Sequence, residues 1–277
     1  MEIYQSLILG FIQGLTEFLP VSSSGHLVIF QRFFGLMEPE IFFDVCLHIG
    51  TLVAVVIYFR YDLFTIIKAV LSKGFLFVKK DITIEEAFGD PDVKMAVLII
   101  AGLIPTAVVG LLIDNIAEIL YASILITGIM LIVTGSFLWT TRKFEVDKVV
   151  QTEFTVKKAL IIGLIQGFAV IPGISRSGAT IVTGLYLGLD RELSAKYSFL
   201  MSIPAIVGAA ILSLRDVESL SDISLGVLLP GVLVSCITGY LALSFLVFIV
   251  KKGRLYAFAP YCWLAGITAI GFSYFWG

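Results

Sequence analysis

Six stretches of the chain, roughly 43–60, 94–113, 118–139, 196–214, 225–250 and 255–276, are apolar over about the thickness of a bilayer. Hydrocarbon offers nothing to hydrogen-bond a backbone, so runs of this length must satisfy their own N–H and C=O groups as α-helices. Of the 277 residues, 58% are hydrophobic and only 14% charged, more apolar surface than one soluble core of that size can hide. The expected class is therefore all-α: a polytopic membrane protein whose residues 1–277 form a single integral membrane domain.

Charge sets the orientation. Loops with Lys68, Lys73, Lys79 and Lys80, with Arg142, Lys143, Lys148, Lys157 and Lys158, and with Lys251, Lys252 and Arg254 read as cytoplasmic by the positive-inside rule. Short loops carrying Asp114 and Glu118, and Asp216, Glu218 and Asp222, are poor in Lys and Arg and read as external. The mixed stretch 61–93 reads as an interfacial helix followed by a polar cytoplasmic loop. A net charge of −2 identifies no partner beyond the bilayer, and nucleic acid is not expected as one. Cys46, Cys236 and Cys262 lie in apolar runs without metal-ligand spacing and read as packed thiols. The start, MEIYQSLILG, lacks the basic region of a cleaved signal peptide and is expected to stay in the mature protein.

Within this framework LILGFIQGLTEFLPVSSSGHLVIFQRFFGL (7–36) aligns without a gap on LIIGLIQGFAVIPGISRSGATIVTGLYLGL (160–189), with eleven of thirty positions identical. Shared Gly, Gln, Ser and Ser-Gly, unlike shared Leu or Ile, point to a duplication. Each copy has about a dozen apolar residues, a Pro/Ser/Gly break, and about a dozen more, so neither half crosses a membrane alone. A helix-loop-helix that dips in and returns suits this pattern, provided the unwound backbone is buried in protein or lines a cavity. Three spans separate the copies, so they enter from opposite sides. The expected architecture is an inverted-topology repeat, each half a re-entrant helix-loop-helix plus three transmembrane helices: repeat 1 at about 1–139, including the loop at 61–93, and repeat 2 at about 154–277.

The copies differ where chemistry would sit. Glu17 aligns with Val170, Ser23 with Arg176, and His26 with Ala179, so the two tips together would make one asymmetric site. Arg176 offers a planar fork of donors suited to phosphate oxygens, with hydroxyls from Ser175, Ser177 and Thr180 beside it. The Ser-rich turns, with Ser22, Ser24 and Gly25 in the first copy, present backbone N–H groups to an anion. His26 can shuttle protons near neutral pH, and Ser23 can attack or simply bind. A lone ionised carboxylate in a membrane costs roughly 2.5–3.5 kcal/mol, so Glu17 needs a metal ion or Arg176 as partner.

Plainer roles compete for some of these residues. Gly10-x-x-x-Gly14 and Gly163-x-x-x-Gly167 read as close-approach faces, which leaves a homodimer open. Gln13 and Gln166 occur in both copies and suit a structural hydrogen bond near the pseudo-twofold axis as well as catalysis. An arginine in an apolar run can snorkel to the interface, although Arg176 sits midway through its hairpin. His48, one turn after Asp44, reads as a polar contact at the end of a span, with metal ligation as the alternative.

QGLTEFLPVSSSGH and PGISRSGAT resemble the two signature motifs of the undecaprenyl-pyrophosphate phosphatase family, bacterial membrane enzymes associated with bacitracin resistance, and FDVCLHIGTLVAVV and YSFLMSIPAIVGA extend the likeness along nearly the whole chain. The resemblance implies removal of phosphate from a long-chain polyprenyl diphosphate lipid to recycle the carrier of cell-wall glycans. It implies a plasma-membrane protein with its site open to the external or periplasmic side, and a divalent cation, Mg or Ca. Carried over by position, Glu17 is the motif acid and metal ligand, Ser23 the essential hydroxyl, His26 the motif histidine and Arg176 the essential arginine. Ser22, Ser24, Gly25, Ser175, Ser177, Thr180 and Gln13 are then expected against the substrate. Two positions depart from the pattern: Gln13 stands where the motif has an earlier acid, and Tyr261-Cys262 where some members have Tyr-Arg. A polyprenyl-phosphate flippase is the competing function, because transporters share inverted repeats of broken helices. The asymmetry of the two tips favours an enzyme.

Overall fold

The computed structural model describes residues 1–36, 41–144, 152–213 and 224–276. Lys148, Asp216, Glu218 and Asp222 lie outside the described residues, as do the side chains of Asp114 and Glu118. Helices α1 (Ile3–Phe18) and α2 (Ser23–Phe33) form the first broken pair, and α3 (Ile41–Tyr58) turns through 76° at Phe59 into α4 (Arg60–Val78). There follow α5 (Ile84–Phe88), α6 (Pro91–Asp114), α7 (Ala117–Ala122) and α8 (Ile124–Trp139). The second broken pair is α9 (Val156–Phe168) and α10 (Arg176–Tyr186), followed by α11 (Arg191–Ser213), α12 (Leu225–Lys251) and α13 (Ala259–Trp276). Among the described residues there is no β-strand, and five helices, or six counting the bent α3–α4 pair, are long and apolar enough to cross a membrane. The protein is an all-α, multi-pass membrane protein.

Local chemistry sets the breaks. Pro20 forces Leu19 into the extended region (ψ 144°), ending α1, and the Ser22 hydroxyl then accepts the Gly25 N–H to start α2. Ser175, the equivalent of Ser22, starts α10 by accepting the Gly178 N–H. Both second helices end alike: Gly35 (φ +75°) and Gly188 (φ +79°) turn left-handed, and the Leu36 and Leu189 N–H groups donate to the Gln31 and Gly184 carbonyls. One expected span is interrupted. The run 118–139 divides at Ser123, whose hydroxyl accepts the Ile126 N–H and restarts the helix as α8.

The halves pack by exchange. Helix α1 lies on α12, while α9 lies on α6; α12 also holds α3, α6 holds α11, and α8 pairs with α13. Glycine faces make the exchange possible. A Cβ on Gly10 would run into the Gly231 carbonyl, and one on Gly163 into the Gly102 carbonyl. The small-residue faces seen in the sequence are thus used inside the chain. Beneath the broken pairs, Phe18, Ala54, Phe199, Leu243 and Leu246 form a buried core that fixes the end of α1 against α3, α11 and α12.

Candidate active site

The two breaks meet. The Gly173 N–H donates to the Ser22 hydroxyl at 3.1 Å, and the Ser177 hydroxyl donates to the Leu19 carbonyl at 3.4 Å. A Cβ on Gly25 would sit 3.1 Å from Gly173, a tight contact that glycine avoids. Ser22 holds φ +69°, a left-handed conformation costly for a side-chain-bearing residue, while its hydroxyl accepts from both breaks.

Glu17 is the hub. Its Oε1 accepts from Arg176 Nη2 at 2.7 Å; its Oε2 accepts from the Ser23 hydroxyl at 2.6 Å and from Gln13 Nε2 at 3.0 Å. Helix α1 contributes the acid and the amide, the start of α2 the hydroxyl, and the start of α10 the guanidinium. The Glu17 side chain is 6% exposed and that of Arg176 15%, so the two opposite charges offset each other's desolvation, helped at Glu17 by the Ser23 and Gln13 donors. Among the described residues Arg176 Nη1 has no hydrogen-bond partner although it is buried. One arm of the fork is thus committed to Glu17, and the other is available to a phosphate oxygen.

His26 stands apart from this hub. Its Nδ1 donates to the Ser22 carbonyl at 2.7 Å, because a carbonyl can only accept. The neutral ring therefore keeps its lone pair on Nε2, which accepts from the Tyr261 hydroxyl at 2.7 Å. The two rings lie parallel, 5.7 Å apart. The Ser23 proton points at Glu17 rather than at His26, the residue read from the sequence as a proton shuttle.

The other expected ligand groups are largely scaffold. Ser24 and Ser22 approach at 3.3 Å, and Ser175 and Ser177 do the same in the second copy. Thr180 is spent on the Arg176 carbonyl at 2.8 Å and the Ser198 hydroxyl at 2.6 Å. Ser175, Ser177 and Thr180 are buried: Ser175 caps α10 at Gly178, Ser177 reaches the Leu19 carbonyl, and Thr180 reaches the Arg176 carbonyl. Tyr261, on α13, stood out in the sequence only beside a departure from the family pattern; its contact with His26, across 235 residues, was not foreseen. His48 lies closer to the chemistry than the end of a span: its Nε2 is 3.6 Å from Glu17 Oε2.

Family comparison meets this geometry. A model of the family described as "Bacitracin resistance protein BacA" matches residues 6–268, which include both breaks and every residue of the hub. The chain belongs to this family. An undecaprenyl-diphosphatase of Desulforapulum autotrophicum is 52% identical over 278 residues, covering 98% of each chain. One of Desulfosudis oleivorans is 48% identical over 96% of this chain and 97% of its own length, and one of Methanosphaera stadtmanae 44% identical over 98% of both.

Proposed function

We propose that this protein hydrolyses undecaprenyl diphosphate, or a similar long polyprenyl diphosphate, to the monophosphate and inorganic phosphate. The supporting names belong to relatives that match it almost end to end. The observation that carries the reading is the Ser23–Glu17–Arg176 chain, with contacts of 2.6 and 2.7 Å and one guanidinium nitrogen buried without a partner. The arrangement supplies a hydroxyl, an acceptor for its proton and a phosphate-binding cation.

In this reading Arg176 Nη1 binds the terminal phosphate and stabilises charge that develops on its oxygens. Ser23 Oγ attacks the terminal phosphorus as its proton passes to Glu17, and the lipid monophosphate leaves. Water then splits the phosphoserine, releasing phosphate. His26, held by Ser22, keeps a basic nitrogen on the Tyr261 hydroxyl, a path for protons at the water step.

A divalent cation, Mg or Ca, fits here in a limited way. Glu17 offers one carboxylate, and Gln13 Oε1 is a buried oxygen without a hydrogen-bond partner among the described residues. These two would hold the ion, with substrate phosphates and water completing its shell, as is usual for Mg. Bound there, it would neutralise phosphate charge and favour the leaving group.

The same reading makes residues 1–277 one domain built as an inverted repeat, supported by the exchanged packing of α1 with α12 and α9 with α6. It sits in a bacterial plasma membrane with the prenyl tail in lipid. The Lys- and Arg-rich loops support a site opening to the external or periplasmic side. Carrier recycling for cell-wall glycans and bacitracin resistance are its roles. The test is phosphate release from purified undecaprenyl diphosphate by the wild-type protein and Ser23→Ala. The expected result is turnover by the first and almost none by the second; normal turnover by the variant removes the serine nucleophile.

A further inference from the structure

Helix α4 carries an apolar face that no described residue covers. Asp62, Ile66, Ala69 and Lys73 turn inward: Ile66 is buried, the other three are half-buried, and Asp62 pairs with Lys196 of α11. Phe64, Ile67, Leu71, Phe75 and Val78 recur at helical spacing on a second face, and each is between 57% and 79% exposed. Beside that stripe runs an edge of Thr65, Lys68, Ser72 and Lys79, all exposed. The direction of the helix matters as much as its faces. With α3 and α6 as spans, α4 and α5 join them on one side of the membrane, and α4 leaves α3 at 76°. A helix turned that far from a span lies near the membrane surface, and its lysines mark that side as cytoplasmic.

Charge selects the occupant. Hydrocarbon alone does not suit the helix, because Lys68 and Lys79 need a polar phase, and water alone does not suit the stripe. Residues 60–80 hold five cations, Arg60, Lys68, Lys73, Lys79 and Lys80, against one acid, Asp62, which Lys196 neutralises. Asp81, Glu85 and Glu86 follow only after the helix has ended at Val78. Lys79 Nζ lies over the Phe75 ring at 4.4 Å, so this cation folds back to the edge of the stripe instead of reaching away into water. Positive charge lining an apolar stripe complements a surface of lipid phosphates.

We infer that α4 is a docking surface for anionic phospholipid of the cytoplasmic leaflet. The stripe enters the boundary between headgroups and acyl chains, about 5–10 Å deep, and Lys68, Lys79 and Lys80 hold headgroup phosphates. The surface uses none of the residues at the two breaks and stands whether or not the chain hydrolyses a diphosphate.

The experiment uses the full-length protein in bilayers of phosphatidylcholine with a minor share of phosphatidylglycerol. Nitroxides are placed at Leu71→Cys and Ser72→Cys in a Cys46→Ser, Cys236→Ser, Cys262→Ala background. Electron paramagnetic resonance should find the first open to oxygen and closed to a water-soluble nickel complex, and the second the reverse. An aqueous label at 71 overturns the inference. A label there shielded from both reagents gives the face to a protein partner and overturns it too. Spin-labelled phosphatidylglycerol should associate with the wild type more than spin-labelled phosphatidylcholine does. Lys68→Gln/Lys79→Gln should cut that preference about two- to fivefold, as should high salt. Lys157→Gln/Lys252→Gln removes two exposed lysines from other loops and should change it less. An unchanged preference in the α4 variant, or an equal loss in the control, overturns the docking surface. If the α4 variant does not stay monodisperse, the wild type in high salt decides: a preference that salt leaves intact overturns it.

Discussion

Arg176 is asked to do two things at once, and its substitutions separate them. One nitrogen is 2.7 Å from Glu17 and the other is buried without a partner, so a single guanidinium bridges the acid and the incoming phosphate. Arg176→Lys keeps the charge but loses the fork, and one ammonium must serve Glu17 or the phosphate. We expect kcat/KM for undecaprenyl diphosphate to fall about 10²–10³-fold, or about 2.7–4 kcal/mol, with little loss of stability. Arg176→Met removes both contacts. Activity should drop by about 10³–10⁵, and the fold should lose about 3–5 kcal/mol, because Glu17, at 6% exposure, keeps a buried charge without its partner. Adding Glu17→Gln to Arg176→Met removes that stranded charge. The double variant should regain most of the stability and none of the activity. The assays are phosphate release in detergent and the fraction of protein still monodisperse after stepwise heating. Wild-type kcat/KM in Arg176→Lys would refute a bridging fork; no recovery of stability in the double variant would refute the buried ion pair.

Two more outcomes follow from the packing and from the imidazole. Gly10→Ala and Gly163→Ala push a methyl group into the Gly231 and Gly102 backbones and should each cost about 1–3 kcal/mol, read as a lower midpoint of thermal aggregation. Gly208→Ala, with nothing within 4 Å of the new atom, is the control, and equal behaviour of the three rejects the close seams. Tyr261→Phe removes the hydroxyl that donates to His26 Nε2, a bond worth about 0.5–1.5 kcal/mol. Its kcat/KM should fall by up to about tenfold with the fold intact; no change would show that the imidazole does not depend on this donor.

Residues near each other in the chain, or repeated along it, were legible beforehand. The 153-residue offset located both breaks, and the structure caps them alike at Ser22 and Ser175. Glu17, Ser23, Arg176 and Gln13 were each singled out, and all four meet at one carboxylate. Pairings set by tertiary packing were not. Tyr261 lies on another helix at no telling spacing from His26. The direction of the Ser23 proton depends on where Pro20 and the left-handed Ser22 swing the start of α2, which composition does not encode. The division at Ser123 was hidden because a serine within an apolar run looks like any buried hydroxyl until its cap is seen.

The exchange of neighbours between the halves bears on how the chain is made. Helix α1 leaves the ribosome long before α12, which begins at Leu225 and carries the backbone groove it fits. Until more than two hundred further residues are synthesised, the Gly10 face has only lipid or the insertion machinery beside it. Assembly of the amino-terminal half is therefore completed after translation has nearly finished, and a messenger broken before the codon for Leu225 yields a fragment whose first helix keeps α2 and α3 beside it but lacks the α12 groove.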